Sequence, residues 1–206
     1  MSFWDQQFST EHYKYGTAPN AFLVSQAARI APGSRVLVPG DGEGRNGVWL
    51  AEQGHDVMSI DSSAVGLEKT QALARSRGVR VTTVHADLVE WEPVAASVDA
   101  VVSIYLHFPP DIRAKIHAKF IRALRPGGLF ILEAFHPSHF GSSTFGPKDV
   151  TMLYSLDLLR ADLTAFAATA TGGAHEELLA EEVTVDLDEG PGHAGRSQVT
   201  RWVLRV

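Results

Sequence analysis

The chain has 206 residues, of which 45% are hydrophobic and 20% charged, which is typical of one globular domain with a sizeable core. Its net charge of -6 argues against a nucleic-acid partner, since such partners bind clustered basic residues. The absence of cysteine excludes disulfides, a thiolate nucleophile and a cysteine-based zinc site. Neither a bilayer-spanning apolar run nor a signal peptide is visible, so we expect a cytoplasmic protein without a membrane partner.

From residue 19 onward, apolar strands alternate with helices. The predicted helices are Ala21–Ile30 with Asn20 as its cap, Asn46–Gln53, a helix from Ser62 or Ser63 to Gly78, Asp111–Leu124 and Ser155–Phe166. The predicted strands between them are Val36–Val38, Val57–Ile60, Val79–His85, Val98–Ile104 and Leu129–Glu133. Strands separated by helices in this way form a parallel sheet with right-handed crossovers.

The end of the chain has a different pattern. After a loop at His136–Lys148 and the last helix, two alternating strands are predicted at Glu176–Leu187 and Gln198–Val206. Their connection, DEGPGHAGRS, is too short for a crossover, so the two strands must be antiparallel. The fold class is therefore α/β, with an antiparallel hairpin at the end of a parallel sheet.

The stretch VLVPGDGEGRNGVWLAEQGHDVMSID, from Val36 to Asp61, carries the strongest local motif. Gly42, Gly44 and Gly47 have the spacing of a dinucleotide-binding turn, while Gly40, Gly42 and Gly44 have that of an S-adenosylmethionine (SAM) turn. Asp61 ends the second strand, where a carboxylate can accept both ribose hydroxyls. A plain tight turn followed by a helix-capping aspartate would read the same way, so the motif alone does not identify the ligand.

Acidic residues within the turn separate the two cofactors. Asp41 and Glu43 alternate with the glycines, where they would repel a pyrophosphate at the helix N-terminus. SAM has no phosphate, and its sulfonium and amino groups are positively charged. The turn therefore favours SAM over NAD(P).

Five segments in order resemble the motifs of class I SAM-dependent methyltransferases: VLVPGDGEGRN, VMSIDSS, VHADL, VDAVVSIYLHF and LRPGGLFILE. The resemblance covers nearly the whole chain. It implies a single domain over residues 1–206, a Rossmann-like three-layer αβα sandwich, whose seven-stranded, mostly parallel sheet has the order 3-2-1-4-5-7-6 with strand seven antiparallel. It also implies SAM as the cofactor, bound by Gly40, Asp41, Gly42, Gly44, Arg45, Asn46, Asp61, Ser62, Asp87, Leu88 and Tyr105. Asp61 would bind the ribose and Asp87 the adenine amino group.

One position departs from the family. Val38 stands where members usually carry an acidic residue two places before the first glycine, and Asp41, Glu43 or the Arg45–Asn46 pair are candidates to replace it. Within the class, WDQQFSTEHYKYGTAPNAFL and GEGRN resemble small tellurite-resistance-type and thiopurine-type methyltransferases. We hypothesise methyl transfer to a small molecule, with sulfur, selenium or tellurium acceptors ahead of oxygen or nitrogen, because the acidic surface, the compact size and the lid-like aromatic residues favour this choice. The alternatives are an NAD(P)-linked oxidoreductase and a SAM-binding module without catalysis.

The acceptor side is predicted from the ends of the strands, where ligands bind in open α/β sheets. The candidate pocket residues after strands four and five are Phe108, Phe135, His136 and His139, and the N-terminal segment adds Tyr13 and Tyr15. His107 and His193 are candidate proton acceptors, although His193 can equally be a plain turn residue in GPGHAG, and a soft nucleophile needs no base. His136 and His139 lack a third ligand, so no metal is predicted.

Residues 1–18 precede the alternating pattern and carry Trp4, Phe8, Tyr13 and Tyr15. These aromatic side chains can form a lid over the cofactor that excludes water from an apolar acceptor pocket. They can also pack a short N-terminal helix onto the edge of the sheet. Both roles are compatible, and we predict a lid-like segment.

Overall fold

A seven-stranded sheet organises the computed structural model, which describes residues 2–141, 145–167 and 175–206. The strands are β1 Arg35–Pro39, β2 Asp56–Asp61, β3 Thr82–His85, β4 Val98–Ile104, β5 Leu124–Phe135, β6 Glu176–Asp188 and β7 Ala194–Arg205. Their order is β3-β2-β1-β4-β5-β7-β6, and β7 pairs antiparallel with both neighbours while β1 to β5 pair in parallel. The predicted fold class and strand order are confirmed.

Helices cover both faces of the sheet. Their bounds are α1 Phe3–Phe8, α2 Ala21–Gln26, α3 Arg45–Glu52, α4 Ala64–Ser76, α5 Pro110–Ala123 and α6 Leu156–Ala167. Side chains of α5 and α6, such as Phe120 and Leu159, fill the core with Trp202 of β7 on one face. Side chains of α2 and α3, such as Leu23 and Leu50, fill the core on the other face. The result is the predicted three-layer sandwich.

Capping side chains explain where two of the helices begin. The Oδ1 atom of Asn20 accepts a hydrogen bond from the backbone N–H of Leu23, so Asn20 caps α2 as predicted. Ser63 caps α4 in the same way by accepting from the backbone N–H of Gly66. The first predicted helix ends earlier than expected, since a short 3₁₀ turn, Ala27–Arg29, follows Gln26.

The boundary between α5 and β5 differs from the prediction. The sequence predicts that the helix ends at Leu124 and that the next strand begins at Leu129, but β5 already begins at Leu124. Backbone pairing explains this, because Gly127 N–H donates to the Val206 carbonyl and Val206 N–H donates to the Gly128 carbonyl. Leu124 also pairs with Val98 of β4, with a register irregularity before Ala100.

The hairpin of β6 and β7 is longer than predicted and its loop is shorter. Pairing continues to Asp188 and Ala194, which leaves only residues 189–193 at the tip. Because β7 runs antiparallel to β5, its first half lies beside the carboxyl end of β5, where Phe135 pairs with Val199. The hairpin tip therefore reaches the end of the sheet at which ligands bind. Among the described residues, no helix combines the length and apolar character needed to cross a membrane.

Candidate cofactor and acceptor site

The glycine turn between β1 and α3 has a backbone that glycine adopts readily and other residues rarely do. Gly40, Gly42 and Gly44 have φ angles of 63°, 61° and 89°. A Cβ atom at Gly40 would lie only 2.6 Å from Cδ1 of Leu106, which follows β4. The turn is thus closely covered by Leu106, a residue that sequence reasoning missed because nothing in its local pattern distinguishes it.

Asp61 fastens this turn to the end of β2. Its Oδ2 accepts from the Gly42 N–H and its Oδ1 accepts from the Ser63 N–H, each at 2.8 Å. Burial raises the pKa of the Asp61 carboxyl, while these backbone hydrogen bonds act in the opposite direction. Each carboxylate oxygen can accept a second hydrogen bond, so Asp61 can still bind two ribose hydroxyls.

The neighbouring strand brings a second aspartate close to this end. Asp61 pairs with His85 of β3, and the Asp61 carbonyl accepts from the Ala86 N–H at 3.1 Å. Asp87 and Leu88 follow directly; Asp87 is exposed, with Oδ1 accepting from the Val89 N–H, and Leu88 is buried. Ser62, next to Asp61, is exposed as well. These positions suit a nucleoside lying across the ends of β2 and β3.

The two acidic residues of the turn are engaged in internal contacts. Asp41 is buried, and its carboxylate accepts from Ser59 Oγ at 2.5 Å and from the Gly47 N–H at 3.3 Å. Glu43, also buried, accepts from the Lys14 N–H at 2.7 Å and from Lys69 Nζ at 2.6 Å. Asp41 therefore joins the turn to β2 and α3, and Glu43 joins it to the N-terminal segment.

Asp41 should make the stability of the protein depend on pH. Burial raises its pKa to about 6, so the stability that Asp41 contributes is present below its unfolded pKa of 3.8 and is lost as pH rises through about 6. We expect the free energy of unfolding of the wild type, relative to Asp41→Asn, to fall by up to about 3 kcal/mol between pH 4 and pH 7. Urea unfolding of both proteins at each pH measures this difference. Parallel curves for the two proteins would contradict it.

At the start of α3, Arg45 has a buried donor without a partner. Its Nη2 donates to Glu189 Oε2 at 2.8 Å, whereas Nη1 is buried and has no hydrogen-bond partner among the described residues. The next residue, Asn46, accepts from the Asn20 N–H through Oδ1 at 2.9 Å. A buried guanidinium with one unused edge beside the glycine turn fits a ligand carboxylate, such as that of the methionine part of SAM.

Glu133 at the end of β5 collects three donors from distant parts of the chain. Its side chain is 1% exposed and accepts from Asn20 Nδ2 at 2.7 Å, Tyr105 Oη at 2.8 Å and Arg201 Nε at 2.5 Å. Tyr105, which follows β4, has a positive φ of 51° that aims its side chain into this group. Sequence reasoning missed Glu133, although a single acid within the apolar run LFILEAF was a visible signal.

Six aromatic and histidine rings lie together at the ends of β4, β5 and the hairpin. We call them the ring cluster: Tyr15, Tyr105, Phe135, His139, Phe145 and His193. Ring centroids are 4.4 Å apart for Tyr15 and His193, 4.6 Å for Tyr105 and Phe135, and 4.4 Å for Phe135 and His139. Burial lowers the pKa of both His139 and His193, which keeps the two rings neutral near pH 7.

The structure does not bring every predicted acceptor-side residue into the ring cluster. His107 stacks on Phe135, but Met152 O engages its Nδ1 at 2.8 Å, the Phe135 N–H engages its Nε2 at 3.3 Å, and burial lowers its pKa to about 4. Phe108 instead lies in the hydrophobic core beside α5, where its ring packs near that of Phe120.

Two further predicted pocket residues have other partners. His136 caps the short 3₁₀ turn Pro137–His139, and its Nε2 lies 3.4 Å from Glu182. The Tyr13 hydroxyl donates to the Lys69 carbonyl at 3.2 Å. In the described part of the chain, no group of three or more Asp, Glu or His side chains is arranged to hold a metal ion.

The N-terminal segment lies across the glycine turn. Asp5 of α1 accepts from Ser63 Oγ at 2.7 Å, which fixes α1 to the start of α4. Phe8 is buried, and a Cβ atom on Gly42 would lie 3.0 Å from its ring. Lys14 reaches Glu43 through its backbone N–H, as described above. The segment predicted to be lid-like thus contacts the glycine turn at two points, Gly42 and Glu43, and the start of α4 at a third.

Comparison with known proteins identifies the family of this site. The family described as "Methyltransferase domain" matches residues 36–128, which carry the glycine turn, Asp61 and Asp87. A Mycolicibacterium smegmatis protein named "Probable S-adenosylmethionine-dependent methyltransferase" is 33% identical over 151 residues, covering 72% of this chain and 55% of that protein. Residues 36–128 belong to the methyltransferase-domain family, and the strand order of the sheet is that of class I SAM-dependent methyltransferases. SAM is the cofactor that the name of the Mycolicibacterium smegmatis relative gives.

Other relatives agree with this assignment. The thiopurine S-methyltransferase of Pseudomonas putida is 36% identical to this chain over 70 residues, which is 32% of each chain. The crystal structure of TehB from Haemophilus influenzae has the same fold, with a TM-score of 0.68 and 18% identity over 98% of this chain and 65% of that chain. The chain spans about half the length of the first curated relatives that it matches.

Proposed function

We propose that this methyltransferase transfers the methyl group of SAM to a small thiol- or chalcogen-bearing acceptor that binds at the ring cluster. The observation that carries the proposal is the composition of the ring cluster, which consists of uncharged aromatic and histidine rings beside the unused edge of Arg45. Such rings suit a soft, polarisable acceptor better than a charged one. The thiopurine relative acts on sulfur, which supports the same acceptor class.

In this proposal, SAM binds to residues of the glycine turn and of the ends of β2 and β3. Asp61 would bind the ribose, Asp87 and Leu88 the adenine, and Arg45 Nη1 the carboxylate of the methionine part. The turn of Gly40, Gly42 and Gly44 allows close approach of the backbone. When bound, SAM supplies a methyl group on a positively charged sulfur that leaves as a neutral thioether.

His193 is the proposed proton acceptor on the acceptor side. Its pKa is lowered by burial, so the ring is neutral near pH 7 and can accept a proton. The proton that an acceptor thiol loses on methylation would pass to His193. His107 is the weaker candidate, because backbone groups occupy both of its ring nitrogens. An acceptor that is already a thiolate would need neither residue.

The predictions on acceptor size, partners, location and the N-terminal segment belong to the same proposal. A small-molecule acceptor, the absence of nucleic-acid and membrane partners, and a cytoplasmic location stay predictions. The net charge of -6 supports the prediction that nucleic acid is not a partner. The lid-like role of residues 1–18 is supported by the contacts of Asp5 and Phe8 with the site.

The test is a panel of acceptors with methyl-labelled SAM. We expect transfer to aromatic and aliphatic thiols or selenols, with slower or absent transfer to phenols, amines and RNA. Transfer to RNA or amines alone would overturn the acceptor class, and SAM binding without any turnover would favour a binding module.

His193→Gln should slow transfer to thiols of high pKa at least tenfold and affect thiols of low pKa less, since only the former need a proton acceptor.

A further inference from the structure

The hairpin tip carries a largely buried acid that no motif predicts. Glu189 is the first residue after β6, and its side chain is 9% exposed. Its backbone N–H donates to the His193 carbonyl at 2.9 Å, which closes the tip on itself. The carboxylate therefore points inward from the hairpin toward the glycine turn.

Three elements meet at this carboxylate. Glu189 Oε2 accepts from Arg45 Nη2 at 2.8 Å and lies 3.8 Å from His193 Nδ1. Glu189 Oε1 accepts from Asn20 Nδ2 at 2.8 Å. Asn20 lies at the start of α2, Arg45 at the start of α3 and His193 in the hairpin, so one side chain connects all three.

We infer that Glu189 is a positioning residue that holds Arg45 on the cofactor side and His193 on the acceptor side in fixed relation to each other. The inference rests on the proposed function, in which Arg45 and His193 contact cofactor and acceptor. Glu189 binds Nη2, while Nη1 of Arg45 is buried and has no hydrogen-bond partner among the described residues. By facing Nδ1, it favours the tautomer of His193 in which Nδ1 carries the proton and Nε2 is the base.

Electrostatics support this role. Arg45 and His193 hold the pKa of Glu189 below its usual value in spite of burial, so Glu189 is ionised. The groups that face His193 are Glu189, Arg45, His139 and His107, together with the rings of Tyr15, Tyr105, Phe135 and Phe145. Of these, Glu189 alone carries a negative charge, and it raises the pKa of His193 against the effects of burial and Arg45.

Glu189→Gln tests the inference without any acceptor. We expect the pKa of His193, followed by NMR titration of ¹⁵N-histidine-labelled protein, to fall by about one pH unit or more when the charge is removed. We also expect the affinity for S-adenosylhomocysteine in calorimetry to fall roughly tenfold, since Arg45 loses the group that orients it. Asp188→Asn, an exposed neighbour with the same change of charge, should alter neither quantity.

The result that would overturn this inference differs from the result that would overturn the proposed function. An unchanged His193 pKa in a folded Glu189→Gln protein would overturn the inference, whereas failure of every acceptor in the panel would overturn only the proposed activity. Glu189→Asp keeps the charge but draws it back by one methylene, so it should lower the His193 pKa by less. This milder variant decides the question if the glutamine variant does not fold: a His193 pKa equal to that of the wild type would then overturn the inference.

Discussion

Asp61→Ala is expected to weaken binding of SAM and S-adenosylhomocysteine by about 1–3 kcal/mol, which is roughly five- to 150-fold in affinity. Two losses add in this variant. The carboxylate that would accept the ribose hydroxyls disappears, and the buried N–H groups of Gly42 and Ser63 lose their acceptor. The glycine turn is then released from the end of β2, so both the ribose contact and the shape of the turn change.

Calorimetry with S-adenosylhomocysteine measures the affinity, and thermal unfolding monitored by circular dichroism shows how much of the loss is structural. Glu68→Gln is the matched control, because Glu68 is an exposed acid of the nearby helix α4 and its removal changes net charge equally. The control should bind as the wild type does. If Asp61→Ala also bound as the wild type does, the assignment of Asp61 to the ribose would be wrong.

The fold could be predicted because its signals are local. Apolar strands bounded by turns gave the parallel strands, and the short connection after β6 required an antiparallel hairpin. The exceptions occur where long-range backbone pairing overrides local pattern. Gly127 and Gly128 look like a loop in sequence, yet they pair with Val206 at the other end of the chain and extend β5.

The site could be predicted only in part, for the same reason. The glycine turn and Asp61 lie within one short stretch, but Asn20 and Glu189 are 169 positions apart when their side chains meet. Asn20 was recognised only as a helix cap, a role that it fills with Oδ1 while Nδ2 binds two carboxylates. Spacing also could not distinguish His107 from His193, since only the fold decides which ring nitrogens the backbone occupies.

The largest loss of stability is expected from Glu133→Ala, about 3–5 kcal/mol in the free energy of unfolding. Glu133 is almost fully buried and accepts from Asn20, Tyr105 and Arg201. Its removal leaves three donors without that acceptor and a cavity at the end of β5. The guanidinium of Arg201 is only 21% exposed, so water compensates little for the missing charge.

Glu181→Ala separates burial from charge in this result. Glu181 pairs with the same Arg201 at 3.2 Å, but its side chain is 39% exposed, so its loss should cost less than about 1 kcal/mol. Urea unfolding of the wild type and both variants measures the two differences. A large loss for Glu133→Ala beside a small one for Glu181→Ala means that the buried acid holds β5, Tyr105 and α2 together beneath the site. Equal losses in the free energy of unfolding would mean that both acids stabilise Arg201 to the same extent and that the burial of Glu133 contributes no further stability.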